Sequence, residues 1–301
     1  MNAQTVNQII DALALGSVYA LFALGLSLVW GVLDVLNLAQ GALFLLGPFV
    51  AYEVARALPM PLIAVLPIAM VVTGLVAVVL EVGIFRYVRR TVDDRKRREL
   101  TMLITSIGAA AIITQVVANK TGNTIFFIPH QVFQPVTYAI GRHVRVSNLD
   151  IILLVLALAL GVALGQWVRR SRHGRALRAV AFDARRSGLF GVSADRLAAL
   201  TLFVSGALAA AAGVLFSLSV GGIDSTVGDS YLLTAFAVVI LGGVGSIVGT
   251  VIGAFLVAGA ETAVTAAGIG QWQNAIVFGV ILLVLALRPE GLFRAQRTQR
   301  V

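Results

Sequence analysis

Glu81 and Glu261 are the residues whose placement most invites chemistry, because each is a carboxylate set inside a long apolar run. An ionised group left in hydrocarbon costs at least ~2.5 kcal/mol at the centre of a helix, so each must pair, reach water or take part in function. The chemistry open to them is proton transfer. A proton-coupled pump needs a chain of such groups and none is evident. That favours pairing of Glu81 with an arginine such as Arg86, and a hydrated external vestibule at Glu261. Asp11, Asp34 and Glu53 lie nearer the ends of apolar runs, within reach of water.

Covalent chemistry finds less support. His130 and His143 fall in a polar loop and His173 in a basic segment, so no histidine stands at membrane depth beside a serine nucleophile. The chain has no cysteine, which removes disulfides and thiolate metal sites. No G-x-x-x-x-G-K-[ST] loop is present, and the two lysines, Lys96 and Lys120, lie in the wrong context for one. The sequence therefore predicts no catalytic residue, no metal site and no cofactor in this chain. Energy for any pumping must come from an ion gradient or a partner.

Those residues have to be positioned by membrane elements. Hydrophobic residues make up 59% of the chain and charged residues 12%, about half the charge of a soluble domain; mean hydropathy is +0.95. About 20 apolar residues cross a bilayer core. Such spans read at about 10–31, 37–56, 61–88, 99–118, 148–168, 196–218, 230–266 and 271–288. The seventh is too long for one crossing and is broken by Gly242, Gly243, Gly245 and Ser246, so it supplies two passes. Backbone groups in lipid must be satisfied internally, which predicts an all-α, polytopic helical bundle of about eight or nine transmembrane helices, some broken or half-length. The alternating signature of a membrane β-barrel is absent. The first residues carry neither a charged n-region nor a small-residue cleavage site, so no cleaved signal peptide is expected.

Charge placement sets a topology that could have failed. Of 23 Lys and Arg residues, 86–98 holds seven, 169–196 eight and 288–300 four; the others are Arg56, Lys120, Arg142 and Arg145. With the three islands cytoplasmic, the loop at about 119–148 and the segment carrying Asp224 and Asp229 are external. The N-terminus is then outside and the C-terminus inside. Parity holds only if 230–266 crosses twice. The pI near 10.9 comes from these islands and not from a basic face, so a lipid bilayer is the expected partner and nucleic acid is not.

Two further patterns stand out. Gly245, Gly249 and Gly253 form a ladder of small residues that admits another backbone, so Gly249 and Gly253 are read as helix-packing positions; packing and a permeation path can coincide there. Ser205, Gly206, Ala209 and Gly213 make a similar face, as do Gly161 and Gly165. A faint positional repeat relates 10–88 to 230–288, each half carrying a polar or Gly-rich interruption on its cytoplasmic side, as transporters built from paired repeats often do. The basic segment 169–196 reads as a short helix after Gly174 carrying Arg175, Arg178 and Ala179. A second helix follows, capped by Asp183 and ended near Gly191, with Ser193 and Asp195 opening the next span. By composition alone this knob is either a lever for a partner or an anchor on anionic lipid.

Resemblance separates those readings. The run GSVYALFALGLSLVWGVLDVLNLAQGALFLLGPFVA (Gly16 to Ala51), GRALRAVAFD followed by LFGV, AFAVVILGGVGSIVGTVIGAFL (Ala235 to Leu256) and RPEGLF (Arg288 to Phe293) together resemble the permeases of branched-chain amino-acid ABC importers along nearly the whole chain. The resemblance implies a type II ABC-importer-like permease, a single transmembrane permease domain over 1–301, in a bacterial inner membrane. It places Gly174, Arg175, Ala176, Arg178, Ala179, Asp183 and Gly191 in an ATPase-coupling element at about 169–196. Arg185, Arg186, Ser187 and Gly188 depart from the usual alanine- and acid-containing stretch there. It also places Asn37, Gln40 and Gly41, with Gly242, Gly243, Gly245 and Ser246, beside the translocation path.

The implied partners are two ABC ATPase subunits, which would hold ATP and Mg, a second homologous permease (a heterodimer by family precedent, with a homodimer open) and a periplasmic substrate-binding protein. The implied mechanism is alternating access. An amino acid or another carboxylate is the first choice of cargo, with urea, short amides and aromatic carboxylates as alternatives. An ion-coupled secondary transporter and a scaffold protein are the competing classes. Because the chain has no native cysteine, the topology is directly testable: a single cysteine at Arg178 should react with a membrane-impermeant maleimide in inverted vesicles and not in intact cells. Labelling from outside would overturn the assigned orientation.

Overall fold

The computed structural model describes residues 3–272 apart from 93, 130, 141–143 and 183, and beyond them 275, 278, 279, 282, 284, 286, 288 and 291–293. Its helices, in chain order, are α1 (Ala3–Leu33), α2 (Ala39–Ala57), α3 (Leu62–Leu80), α4 (Arg86–Thr91), α5 (Arg95–Thr121), α6 (Asn148–Arg170), α7 (Arg172–Phe182), α8 (Ala184–Leu189), α9 (Ala194–Val220), α10 (Val227–Gly242) and α11 (Ile247–Ala266). A π-helical turn, Glu81–Phe85, joins α3 to α4 in one continuous rod. The expected all-α membrane bundle is what forms. Among the described residues six helices are long and apolar enough to cross a bilayer: Thr5–Leu33, Leu62–Thr91, Lys96–Thr121, Asn148–Arg170, Ala194–Val220 and Ile247–Ala266.

Two further helices, α10 and α2, fall outside that set for physical reasons. At 16 residues α10 is short, and α2 carries Glu53 and Arg56 in its last turns. The expected final span, 271–288, lies largely outside the described residues. The break inside 230–266 falls where the glycines predicted it. Gly243 (φ 96°) and Gly245 (φ 79°) take up left-handed backbone that side chains resist, and Ser246 then caps α11 by accepting from the Gly249 N–H.

One element was not foreseen. Residues Thr137–Ile140 and Val144–Ser147 form an antiparallel hairpin, β1–β2, in the loop read only as external. Apolar patterning reports on spans, and this hairpin stands outside them.

The centre of the bundle is α9, packed against α1, α2 and α3. Ala209 to Val214 on it are fully buried, and the neighbours come in at backbone distance. A Cβ on Gly47 of α2 would lie 2.5 Å from the Ala210 Cα, and one on Gly213 would overlap the Phe44 carbonyl oxygen. Lipid gives no hydrophobic drive to helix pairing, so this close van der Waals contact does the work. Gly161 is different: a Cβ there would meet only the Leu24 Cδ1, at 3.5 Å. Gly47→Leu should therefore cost stability by roughly 1–3 kcal/mol through overpacking. Gly161→Ala should leave the melting temperature of the purified chain unchanged.

Candidate functional site

The basic islands collect at one end of the bundle. Asp195 at the start of α9 faces Arg90 (2.6 Å), Arg89 (3.5 Å) and Arg86 (3.7 Å) of α4. Gly31 near the end of α1 lies against Gly245 of the α10–α11 turn, and Val32 packs on the 172–197 segment. At the opposite end Phe126 and Ile223 pair through their backbones, and the Leu62 N–H donates to the Val132 carbonyl at 2.9 Å.

Against that frame the starts of α2 and α10 sit deep. The Gln40 amide of α2 is held by Ser205: its Nε2 donates to the Ser205 carbonyl at 3.2 Å, and its Oε1 lies 3.1 Å from the Ser205 hydroxyl, which is also 2.7 Å from the Gly25 carbonyl. Ser205 is about 16 Å along α9 from its basic end at 1.5 Å per residue, in a helix about 40 Å long. Independently, the Leu38 N–H donates to the Ser106 hydroxyl (3.2 Å), which is also about 16 Å into α5. So after α1 reaches the basic end, the coil 34–38 turns back into the bundle, and α2 starts near mid-depth and runs to the far end. Asp34 makes the reversal with φ 55°.

The second half-helix mirrors the first. A Cβ on Gly41 would come 2.6 Å from the Gly228 carbonyl oxygen, and one on Gly228 would overlap that of Gly41. The first turns of α2 and α10 thus touch at mid-depth, and α10 runs from there to the basic end. One turn further on, Phe44 and Tyr231 stack at 5.8 Å, with Tyr231 also against Phe216 and Tyr19. Both helices aim their positive N-terminal ends at the same level.

The residues read as bordering a path accordingly fall into two groups. Asn37, Gln40 and Gly41 lie at the start of α2 and are buried. Gly242, Gly243, Gly245 and Ser246 form the turn at the basic end. Between the groups, Ser27 of α1 accepts from the Gly245 N–H (3.2 Å) and lies 3.1 Å from the Thr250 hydroxyl. At Gly249 a Cβ would overlap the Gly242 carbonyl oxygen, and at Gly253 one would come 2.9 Å from the Val238 carbonyl oxygen.

The knob departs from expectation in one detail. Gly174, read as preceding its first helix, lies inside α7, at a point where a Cβ would overlap the Val168 carbonyl at the end of α6. Arg178 donates to the Val168 carbonyl and, at 3.3 Å, to that of Arg169, while Arg175 donates to Arg170 (3.1 Å). These two cations close the carbonyl end of α6, where positive charge is favoured. Ala176 packs with Leu177, Val180 and Leu197, and Ala179 is exposed. Gly191 (φ 77°) makes the turn after α8, and Ser193 caps α9 as read. Asp183 lies outside the described residues. The signal that composition missed is apolar: Phe182 is exposed, and Leu189 and Phe190 are 84% and 87% exposed on this polar element.

The two buried carboxylates both have partners. Glu81 is fully buried and forms a two-pronged pair with Arg89, not with Arg86. Glu261 is 3% exposed and accepts from the Tyr19 hydroxyl at 2.6 Å, so it stands in the protein interior rather than in a vestibule. Among the described residues no cluster of His, Asp or Glu could hold a metal ion.

Comparison with known proteins identifies the family. Residues 8–286 match the family of the branched-chain amino acid transport system permease component, and the chain belongs to that family. It is 29% identical to the high-affinity branched-chain amino acid transport system permease protein BraD of Pseudomonas aeruginosa, over 98% of both chains. It is 30% identical to the permease protein LivH of the corresponding Escherichia coli K12 system, over 98% of this chain and 97% of LivH. A shorter likeness, 30% over 42% of this chain, relates it to the autoinducer 2 import system permease protein LsrC of Klebsiella pneumoniae. No solved structure matches. The chain is thus a multi-pass transport permease component, which is not itself an enzyme.

Removing one partner of a buried ion pair strands the other, at a cost of about 3–5 kcal/mol. Arg89→Ala should lower the detergent melting temperature sharply. Arg90→Ala, which loses only a contact from an arginine whose side chain is 69% exposed, should change stability by about 0–1 kcal/mol.

Proposed function

We propose that this chain is the inner-membrane permease subunit of a binding-protein-dependent ABC importer, forming a translocation path for branched-chain amino acids by ATP-driven alternating access. The observation that carries this reading is the meeting of two half-helices at mid-depth. It is an arrangement suited to holding a polar solute part-way across and releasing it when either half moves. Family membership and the names of the full-length relatives support the cargo class.

The exposed side of α10 supports a second permease. Asp229 and Ser230 are exposed close to mid-depth, and a carboxylate there is too costly to face lipid. In the assembled importer this face borders water or another permease chain. The basic end is assigned to the cytoplasm by the positive-inside rule, so the N-terminus lies outside and the C-terminus inside. The 119–148 loop then receives cargo from a periplasmic binding protein. The 169–196 element engages one of two ATPase subunits, with Phe182, Leu189 and Phe190 as its apolar contact and Arg175 and Arg178 anchoring it to α6. ATP and Mg belong to those subunits. The chain 1–301 acts as one permease domain.

Reconstitution tests this. Vesicles holding the permeases and ATPases should accumulate leucine only with ATP and the loaded binding protein; uptake driven by an ion gradient through this chain alone would replace the proposal with a secondary transporter. In the same system, Leu189→Ser together with Phe190→Ser should cut ATPase association and uptake at least tenfold without changing membrane insertion. Undiminished association would remove the knob from the coupling role.

A further inference from the structure

Asn37 sits two residues before α2, with Leu38 between them, at the mid-depth start of a 19-residue helix. Its Oδ1 accepts from the Ala39 N–H at 3.1 Å, so the side chain is folded over the helix N-terminus. The residue is only 3% exposed, and its Nδ2 has no hydrogen-bond partner. A buried donor left unmade is expensive and calls for an acceptor.

The choice of amide matters. Ser, Thr or Asp would cap the Ala39 N–H as well as Asn does, and Asp would add favourable charge at the positive end of the helix. Asn, unlike Asp, caps while keeping that end uncompensated, and unlike Ser or Thr it does so with one atom, Oδ1, while a separate NH2 group extends beyond the cap as a donor. Both properties suit an anionic oxygen. Residues 31–36, which join the basic end to Asn37, are all partly exposed.

We infer that Asn37 Nδ2 and the N-terminus of α2 form a carboxylate site, which takes the carboxylate of the cargo during its passage. This rests on the proposed transport function and narrows it. Cargo bearing a carboxylate is favoured over urea and simple amides, which offer no anion to the helix end. Gln40 takes no part in the site, because both ends of its amide are already held by Ser205.

The test is made on the complete importer in vesicles, with leucine and saturating binding protein, measuring uptake per ATP hydrolysed. Asn37→Ser and Asn37→Asp both retain an acceptor for the Ala39 N–H, so the helix start survives. Asn37→Ser should lower leucine uptake per ATP roughly tenfold or more, as expected for losing a hydrogen bond to a charged group. Asn37→Asp, which places negative charge against the cargo, should lower it further. ATP hydrolysis and melting temperature should stay at wild-type values in both.

If both variants match wild type within about twofold while wild type carries leucine, the carboxylate site is overturned and the transport function stands; a lone ordered water on Asn37 predicts that result. A loss of hydrolysis and thermal stability in parallel with uptake would make Asn37 an architectural residue and overturn the site as well. If the wild-type complex carries no leucine with ATP, the function itself fails and the inference falls with it.

Discussion

Hydrocarbon cannot hydrogen-bond a peptide group, and the rest of the molecule is arranged around the one place where that rule is hardest to obey. Between α1 and α2 the backbone leaves the helical state and travels through the bundle before a new helix starts. Each exposed N–H along the way must find a partner within the protein. Leu38 finds the Ser106 hydroxyl, Ala39 the Asn37 side chain and Gln40 the Asn37 carbonyl. Those partners can be in place only because α5 and α9 stand close on either side. On the α9 side the closeness comes from Gly47 and Gly213, which let the backbones of α2 and α9 touch.

Much of this was legible in the sequence, and what was not shares a cause. Apolar run length marked the long helices, and Gly-rich interruption marked the turn at 243–246. Counting basic residues placed the 86–98 and 169–196 islands together, as the Asp195 contacts confirm. Hydropathy reports that a residue is apolar and says nothing about its depth, so 37–56 read as an ordinary crossing when it begins half-way. The starts of α2 and α10 are fixed by Ser205, Ser106 and Gly41 across gaps of many residues, which one-dimensional patterning does not span.

Local register accounts for the smaller misses. Glu81 opens a π-helical turn that delays the rotation of the following residues, so Arg89 rather than Arg86 comes over the carboxylate. Tyr19 and Glu261 are 242 residues apart, and nothing in either neighbourhood announces their hydrogen bond. The knob was visible as a run of arginines. Two of those arginines spend their donors on α6, and Phe182, Leu189 and Phe190 leave an exposed apolar surface, which a charge count does not register.

The fastening of α6 carries a mechanical corollary. Its first turn is closed by Ser147 and Asp150 in a reciprocal cap directly after strand β2, and its last carbonyls are closed by Arg175 and Arg178 of α7. A helix so fastened at both ends cannot absorb a displacement by fraying. At 23 residues it is a strut about 34 Å long. Motion imposed on the arginine-bearing segment must therefore reappear, as tilt or translation, at the hairpin across the bilayer, giving each face of the membrane a direct report of events at the other.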